Sequence, residues 1–371
     1  MKRFLFIALT ILSQNLVGQE RHFVLEGSIG SAKVIMELQS YREDNWSGTY
    51  FYQTFKKNLY LEGRKDKGRI ILNGGNNESD KEQFILVQNS TGFTGTWRGN
   101  NKKLPVSLKP ISMNDFPHPY KSLAFIRELK IQRPIDYARS SGFRFTPIRQ
   151  TIEGNCTLTW YREKLTGIVV PRIIKGYNTA AMKRINDALL EFHLTESLEM
   201  LTCTSLPGTE YENRINKVYG AENVFSISFI ASYYCGGAHP DFSYTHLNFD
   251  CASGKKLELD DVAWFGKTKP PSQDHELRSF YRDSVFRVKV VELLTLLYPE
   301  EMKSQGEDSC PYNEPSYWHN DSWLFTEKGL YLGAVFPRAA RSCDHPDWSI
   351  IPYAMLQPYL SPEFRNKLSA E

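Results

Sequence analysis

No cysteine occurs before residue 156, and the six beyond that point never fall in a C-x-x-C pair. A zinc ribbon or a thioredoxin-type redox centre therefore has no support. There is no G-x-S-x-G elbow, no P-loop and no dinucleotide fingerprint. Ser253-Gly254-Lys255-Lys256 lacks the glycine-rich run that would make it a phosphate cradle. No stretch reaches 18 uninterrupted apolar residues, so no membrane-spanning helix is expected. Charge of one sign is also missing: 45 Lys and Arg face 42 Asp and Glu. Nucleic acid would require a basic face or stripe, so it is not an expected partner. No cofactor and no resident metal are expected.

What is present begins with a leader. Lys2 and Arg3 precede the apolar run Phe4 to Leu12, and Leu16-Val17-Gly18 supplies a small-residue cut. Residues 1–18 read as a secretory signal peptide. With no cysteine at the cut, a lipoprotein anchor is not expected. The mature chain is then periplasmic or secreted, and near neutral once Lys2 and Arg3 are gone. In such a compartment Cys156, Cys203, Cys235, Cys251, Cys310 and Cys343 read as three disulfides. Because all six lie beyond residue 155, the first 150 residues must stand on packing alone, which itself marks a domain boundary.

Residues 19–112 read as an all-β domain. Alternating runs occur at Lys33–Leu38, Gly48–Tyr52, Asn58–Glu62, Arg69–Leu72, Gln83–Val87, Phe93–Trp97 and Leu104–Leu108, separated by glycine and asparagine turns. Strands at this spacing predict an antiparallel meander of seven or eight strands, curved or closed into a small barrel. Trp46, Tyr50, Tyr52 and Trp97 are candidates to line a pocket in it, although strand aromatics are more often core. Residues 113–150 read as a linker with a short helix near Tyr120–Ile131 and an exposed connection from Ser140.

Residues 151–365 read as an α+β domain: an antiparallel sheet with two packed helices and disulfides. Asn178 caps a helix to about Leu201, with Met182, Ile185, Leu189 and Phe192 on one face. Val224–Tyr234 is the longest strand signal of its region. Gly236-Gly237-Ala238-His239-Pro240 breaks it, since two glycines allow left-handed turns and Pro240 cannot pair. A strand resumes over Tyr244–Cys251. Glu276–Tyr298 predicts an amphipathic helix with Phe280, Val285, Val288, Val291, Leu293, Leu294 and Leu297 inward, stopped by Pro299. A last hairpin turns at Glu327-Lys328-Gly329.

The motifs GGAHP (Gly236–Pro240), NFD (Asn248–Asp250) and SGKKLELDDV (Ser253–Val262) resemble the extracytoplasmic domain of RsiV-type anti-sigma factors. That domain also resembles modules beside some peptidoglycan deacetylases. PRIIKGYNTAAMKRINDAL (Pro171–Leu189), FTEKGLYL (Phe325–Leu332) and IIPYAMLQPYL (Ile350–Leu360) fit the same pattern, which spans about 151–361. The resemblance implies a bacterial envelope location and, in one branch, recognition of lysozyme. Cys235 and Cys251 depart from the pattern. With no membrane helix and no sigma-binding segment, an anti-sigma role is excluded.

For the disulfides, Cys310–Cys343 brackets the last hairpin. A simple hairpin of 224–235 with 244–251 would set Cys251 opposite about Ser228, far from Cys235. Cys203–Cys235 and Cys156–Cys251 are therefore expected. Two polar clusters are candidates for chemistry: His239, His246, Asp241 and Asp250, and then His319, Asp321, Asp344, His345 and Asp347. Candidate binding residues are Gly236, Gly237, His239, Asp241, His345 and Asp347, on loops. The expected function is a non-catalytic binding module for a lysozyme-like protein or peptidoglycan. The alternative is an envelope hydrolase or deacetylase using the loop His and Asp residues, so enzymatic activity stays open. A purely accessory role is the third reading.

Overall fold

The computed structural model describes residues 21–41, 44–75, 81–271, 274–303 and 309–368. The expected leader lies outside them. The chain divides into two compact units at Gly142–Phe143.

Unit 1 is a closed antiparallel barrel of eight strands: β1 (Arg21–Ile29), β2 (Ala32–Tyr41), β3 (Asn45–Tyr52), β4 (Leu59–Asp66), β5 (Arg69–Gly74), β6 (Glu82–Asn89), β7 (Gly92–Gly99) and β8 (Lys102–Pro110). β1 is absent from the alternating runs named above, yet it closes the barrel by pairing with β8 from Leu25 opposite Pro110 to Ile29 opposite Val106. Closure leaves no free edge. The interior is solid, filled by Leu25, Met36, Leu61, Leu72, Phe84, Leu86, Phe93 and Leu108 among others. Trp46, Tyr50 and Trp97 belong to this core rather than to an internal ligand cavity.

Outward-facing residues of β2 and β3 are not all polar. Ile35 and Phe51, opposite each other in register, meet Ile135 and Ala138. Those two lie on α2 (Pro134–Ser140), which comes after α1 (Ala124–Gln132). Ser140, read from sequence as the start of an exposed connection, is fully buried here. Its neighbour Arg139 is also 0% exposed. Its guanidinium pairs with Asp136 at 2.7 Å, donates to the Asn58 side-chain oxygen, and lies 4.8 Å from the Phe51 ring centre. Asp136 also pairs with Arg133 at 2.7 Å, so loss of Asp136, not of Arg139, is what strands a fully buried charge. Asp136→Ala should therefore cost unit 1 about 3–5 kcal/mol. Urea unfolding checks this, and a loss below about 1 kcal/mol, the worth of an exposed pair, would contradict it.

Unit 2 holds three three-stranded antiparallel sheets rather than the single sheet expected. The first, in order β11-β10-β9, uses β9 (Phe145–Glu153), β10 (Cys156–Glu163) and β11 (Val169–Lys175). The second is β12 (Glu210–Gly220), β13 (Val224–Tyr234) and β14 (Asp241–Asp250). The third is β15 (Trp318–Phe325), β16 (Gly329–Ala334) and β17 (Ile350–Pro352). The helix α3 (Thr179–Cys203) starts where expected, with the Asn178 side chain accepting from the Ala181 amide. Its face of Ile185, Leu189 and Phe192 packs with Leu158, Val170, Phe225, Ile227 and Phe229. The alternate residues of β13 face the other way. Ser226 accepts the Phe325 amide, and Asn248 donates to the Trp323 carbonyl, tying the second sheet to the third.

After the short helix α4 (Leu259–Val262), the predicted helix from Glu276 is interrupted. α5 (His275–Tyr281) joins α6 (Arg287–Leu297) through a π turn, Arg282–Phe286. A π turn inserts a residue and rotates the two flanking helical segments relative to each other. Tyr281, Phe286, Val290 and Leu294 consequently point inward, while Phe280 and Val288, expected in the core, are 64% and 40% exposed.

Two of the three expected disulfides form: Cys203–Cys235 and Cys310–Cys343. Cys156 and Cys251 are buried free thiols, so their expected pairing is corrected. Val224 pairs with Asp250, so Cys251 ends beside Asn223 instead of opposite Ser228, near Cys156, which lies against Gly220 at the same β12–β13 turn. The two thiols meet the Tyr177 hydroxyl instead of each other, and that hydroxyl donates to the Ala221 carbonyl. Burial pushes the Cys156 thiol up to about 11 and that of Cys251 to about 12, so neither is a reactive thiolate at neutral pH.

Candidate functional site

Two loops far apart in sequence are fastened together in unit 2. The first, Cys235–Pro240, leaves β13 through Gly236 and Gly237, with φ of 87° and 118°, where a side chain would be strained. Cys235 anchors its start to the last residue of α3. The second loop leaves β16 and includes the 3-10 turn Arg338–Cys343, whose end is anchored to Cys310.

Two arginines join them. Arg338 donates to the His239 and Pro240 carbonyls, each at 3.2 Å. Arg341 uses all three of its guanidinium nitrogens: on Asp241 at 2.8 Å, on the Phe242 carbonyl at 2.9 Å and on Asp344 at 3.1 Å. It also stacks 4.5 Å from the Phe242 ring centre. Gly236 to Pro240 and Pro337 to Ala339 form an exposed rim.

Behind the rim lies a pair of imidazoles. His246 stands opposite Ser228 in the β13–β14 register, and its Nδ1 is 3.1 Å from the Ser228 hydroxyl. The Ser322 hydroxyl bridges His246 Nε2 at 3.4 Å and His345 Nδ1 at 3.1 Å. The ring of Tyr244 stacks on His345 at 3.8 Å. His345 has a left-handed φ of 54°, a strained backbone for a residue with a side chain. Gly333 makes the space: a Cβ there would come within 2.1 Å of Ser322 Oγ and 2.6 Å of His345 Nδ1. Gly333→Ala should therefore cost unit 2 about 1–3 kcal/mol through overpacking, checked by thermal unfolding.

Burial, with His345 and Lys217 nearby, pushes His246 down to about 3. Burial and the Arg341 charge push His345 down to about 4. Both imidazoles are therefore neutral at neutral pH, and burial makes them poor proton acceptors there. Ser322 is also only 5% exposed. As folded, the pair is a packed polar core rather than an open nucleophile.

The candidate residues divide accordingly. Gly236, Gly237 and His239 lie on the rim, Asp241 braces it, and His345 belongs to the imidazole pair. Asp347 is exposed and reaches Lys217 at 3.2 Å. Asp241 and Asp250 stand at opposite ends of β14, about 30 Å apart by strand rise. They and His239 and His246 cannot share a metal. Asp250 is instead held by Lys367 and Ser253. Among the described residues no group of three His, Cys, Asp or Glu could hold a metal ion. No hydrogen bond among the described residues links His319 or Asp321 to His345 or Asp347. Sequence reasoning missed Arg338, Arg341 and Ser322, because a lone arginine or serine carries no local pattern.

No family model matches the chain, and no curated protein does. Among solved structures, a member of the DUF3298 family from Bacteroides fragilis is similar at 15% identity and a TM-score of 0.36, over 62% of this chain and 98% of that one.

Proposed function

We propose that the chain is an extracytoplasmic, non-catalytic binding protein that engages its partner through the exposed rim of unit 2. One observation carries the reading: both loops of the rim are anchored by a disulfide and fastened to each other by Arg338 and Arg341. A surface ordered before it binds loses less entropy on binding. The RsiV-like motifs around the rim make a lysozyme-like protein or peptidoglycan the candidate partner.

The test is retention of the folded, oxidised chain on immobilised C-type lysozyme and on peptidoglycan. Arg338→Ala removes only two exposed hydrogen bonds, and it should lower retention about tenfold, roughly the worth of one charge-assisted contact. Its thermal midpoint should not move. Unchanged retention would move binding off the rim, and retention on neither matrix would remove the reading.

A second reading, an envelope hydrolase or deacetylase, rests on the Ser322 hydroxyl lying between two neutral imidazoles. Labelling of Ser322 by an organophosphonate probe would favour it, and inert Ser322 in the folded chain would end it.

A further inference from the structure

One end of the barrel in unit 1 carries an arrangement that its solid interior does not require. Outward-facing residues line up across five strands, from β4 to β8. Glu62 is opposite Asn73, Asn73 opposite Gln83, Gln83 opposite Arg98, and Arg98 opposite Lys103. One step towards the rim, the inward row runs Gly74, Glu82, Gly99 and Lys102, again in register. Together with Asn100 and Asn101 these rows border a concavity of about 1210 Å³.

Its floor is prepared. The Glu82 carboxylate is fixed by the Tyr50 hydroxyl, 2.8 and 2.7 Å from its two oxygens, and by the Trp97 indole N–H at 2.7 Å. The two glycines keep this floor uncovered. A Cβ at Gly74 would stand 2.7 Å from Glu82 Oε1, and one at Gly99 2.6 Å from the Trp97 ring. Parity places a charged residue, Glu82, where β6 otherwise puts Phe84 and Leu86. The hydrogen bonds from Tyr50 and Trp97 offset the cost of a carboxylate on the inward face and hold it in one orientation.

The lining determines the ligand class. An apolar ligand has little to bury against, since among the described residues no aliphatic side chain lines the concavity. Stacked nucleobases would need exposed aromatic faces, and Trp97 is 8% exposed. What the site offers is amides for hydroxyl groups (Asn73, Gln83, Asn100, Asn101), a fixed carboxylate acceptor, and cations. Arg98, Lys102 and Lys103 make no ion pair among the described residues, and Lys81 also lines the site. Five strands at about 4.8 Å spacing span about 19 Å, which suits an extended chain of sugars.

We propose that this end of the barrel is a binding site for an acidic oligosaccharide. Its hydroxyls meet Glu82 and the amides, and its anionic groups meet Arg98, Lys102 and Lys103. This site is separate from the rim of unit 2 and does not depend on it.

The probe is the tetramer of galacturonic acid, titrated into the oxidised chain by calorimetry, with the neutral tetramer of galactose and inorganic phosphate in parallel. The acidic tetramer should bind saturably and at least about tenfold more tightly than the neutral one. Arg98→Gln with Lys102→Gln should weaken it about tenfold or more, as expected for loss of two charge-assisted contacts. The thermal midpoint should be unchanged because both side chains are exposed. The Trp97 indole N–H resonance should shift on binding, and Arg338→Ala in unit 2 should change nothing. Absence of saturable binding, equal affinity for the neutral tetramer, or full displacement by phosphate at equal concentration would each overturn the proposal.

Discussion

Reduction of the two disulfides should destabilise unit 2 by about 3–4 kcal/mol per bond and leave unit 1 untouched. The bonds close loops with sequence separations of 32 and 33 residues. In the chain-entropy account, loops of that length each restrain the unfolded chain by this amount. Unit 1, ending at Gly142, contains no cysteine. Urea unfolding with and without reductant can separate the two, because Trp46 and Trp97 report on unit 1 and Trp160, Trp264, Trp318, Trp323 and Trp348 on unit 2. Selective excitation is unnecessary if single-tryptophan variants are compared. Both transitions moving together, or neither moving, would contradict the assignment. Cys156→Ala and Cys251→Ala should behave differently from the other four replacements. They remove buried thiols but no cross-link, so they should cost only lost packing, and mapping under non-reducing conditions should return both as free.

Acidification below neutral pH should unfold unit 2 steeply, with about three to four protons taken up. Four histidines of this unit are held below their ordinary value of 6.5, His319 among them through burial, and three are pushed to about 4 or lower. His193 is 0% exposed, its Nε2 lies 2.9 Å from the Ile168 carbonyl, and burial with the nearby Arg172 pushes it down to about 3. His246 and His345 fall to about 3 and about 4. The unfolded chain binds these protons from about pH 6.5 downward, whereas the folded unit refuses them until far lower. Stability is therefore fully present above about pH 6.5 and lost as pH falls towards the folded values. Three such groups give a slope of up to about 4 kcal/mol per pH unit. Glu196 and Asp260 oppose this at the acidic end, because burial raises both carboxyls and lets the folded unit keep their protons. The steepest loss thus lies between about pH 6 and 4.5. Unit 1 has one comparable group, His118, at about 4, and should fall less steeply. Urea midpoints measured across this range test the sign: a flat profile for unit 2 would show that these imidazoles are protonated in the folded state.

Much of the scaffold was legible in the sequence. The alternation from Lys33 to Leu108 is dominated by one-face burial, and a barrel interior enforces a strict period of two. The helix at Asn178 was equally clear, since a capping side chain and a face at three- and four-residue spacing are local signals. The helix from His275 was found but mis-phased, because nothing local marks the π turn at Arg282–Phe286. β1 was missed as a strand, since its value lies in pairing with β8, roughly 80 residues away.

By itself the sequence determined the strand-rich first part, the helix-bearing second part, and the loops that carry Gly236, His239, His345 and Asp347. Those come from short-range chemistry: turn residues, caps and periodicity. Only the tertiary structure decided that Arg338 and Arg341 tie the two loops into one rim. It also placed Ser322 between two histidines, set a registered polar row across one end of the barrel, and left Cys156 and Cys251 unbonded. Each depends on register or on contacts across roughly 75 to 100 residues, and no local pattern encodes a partner at that distance.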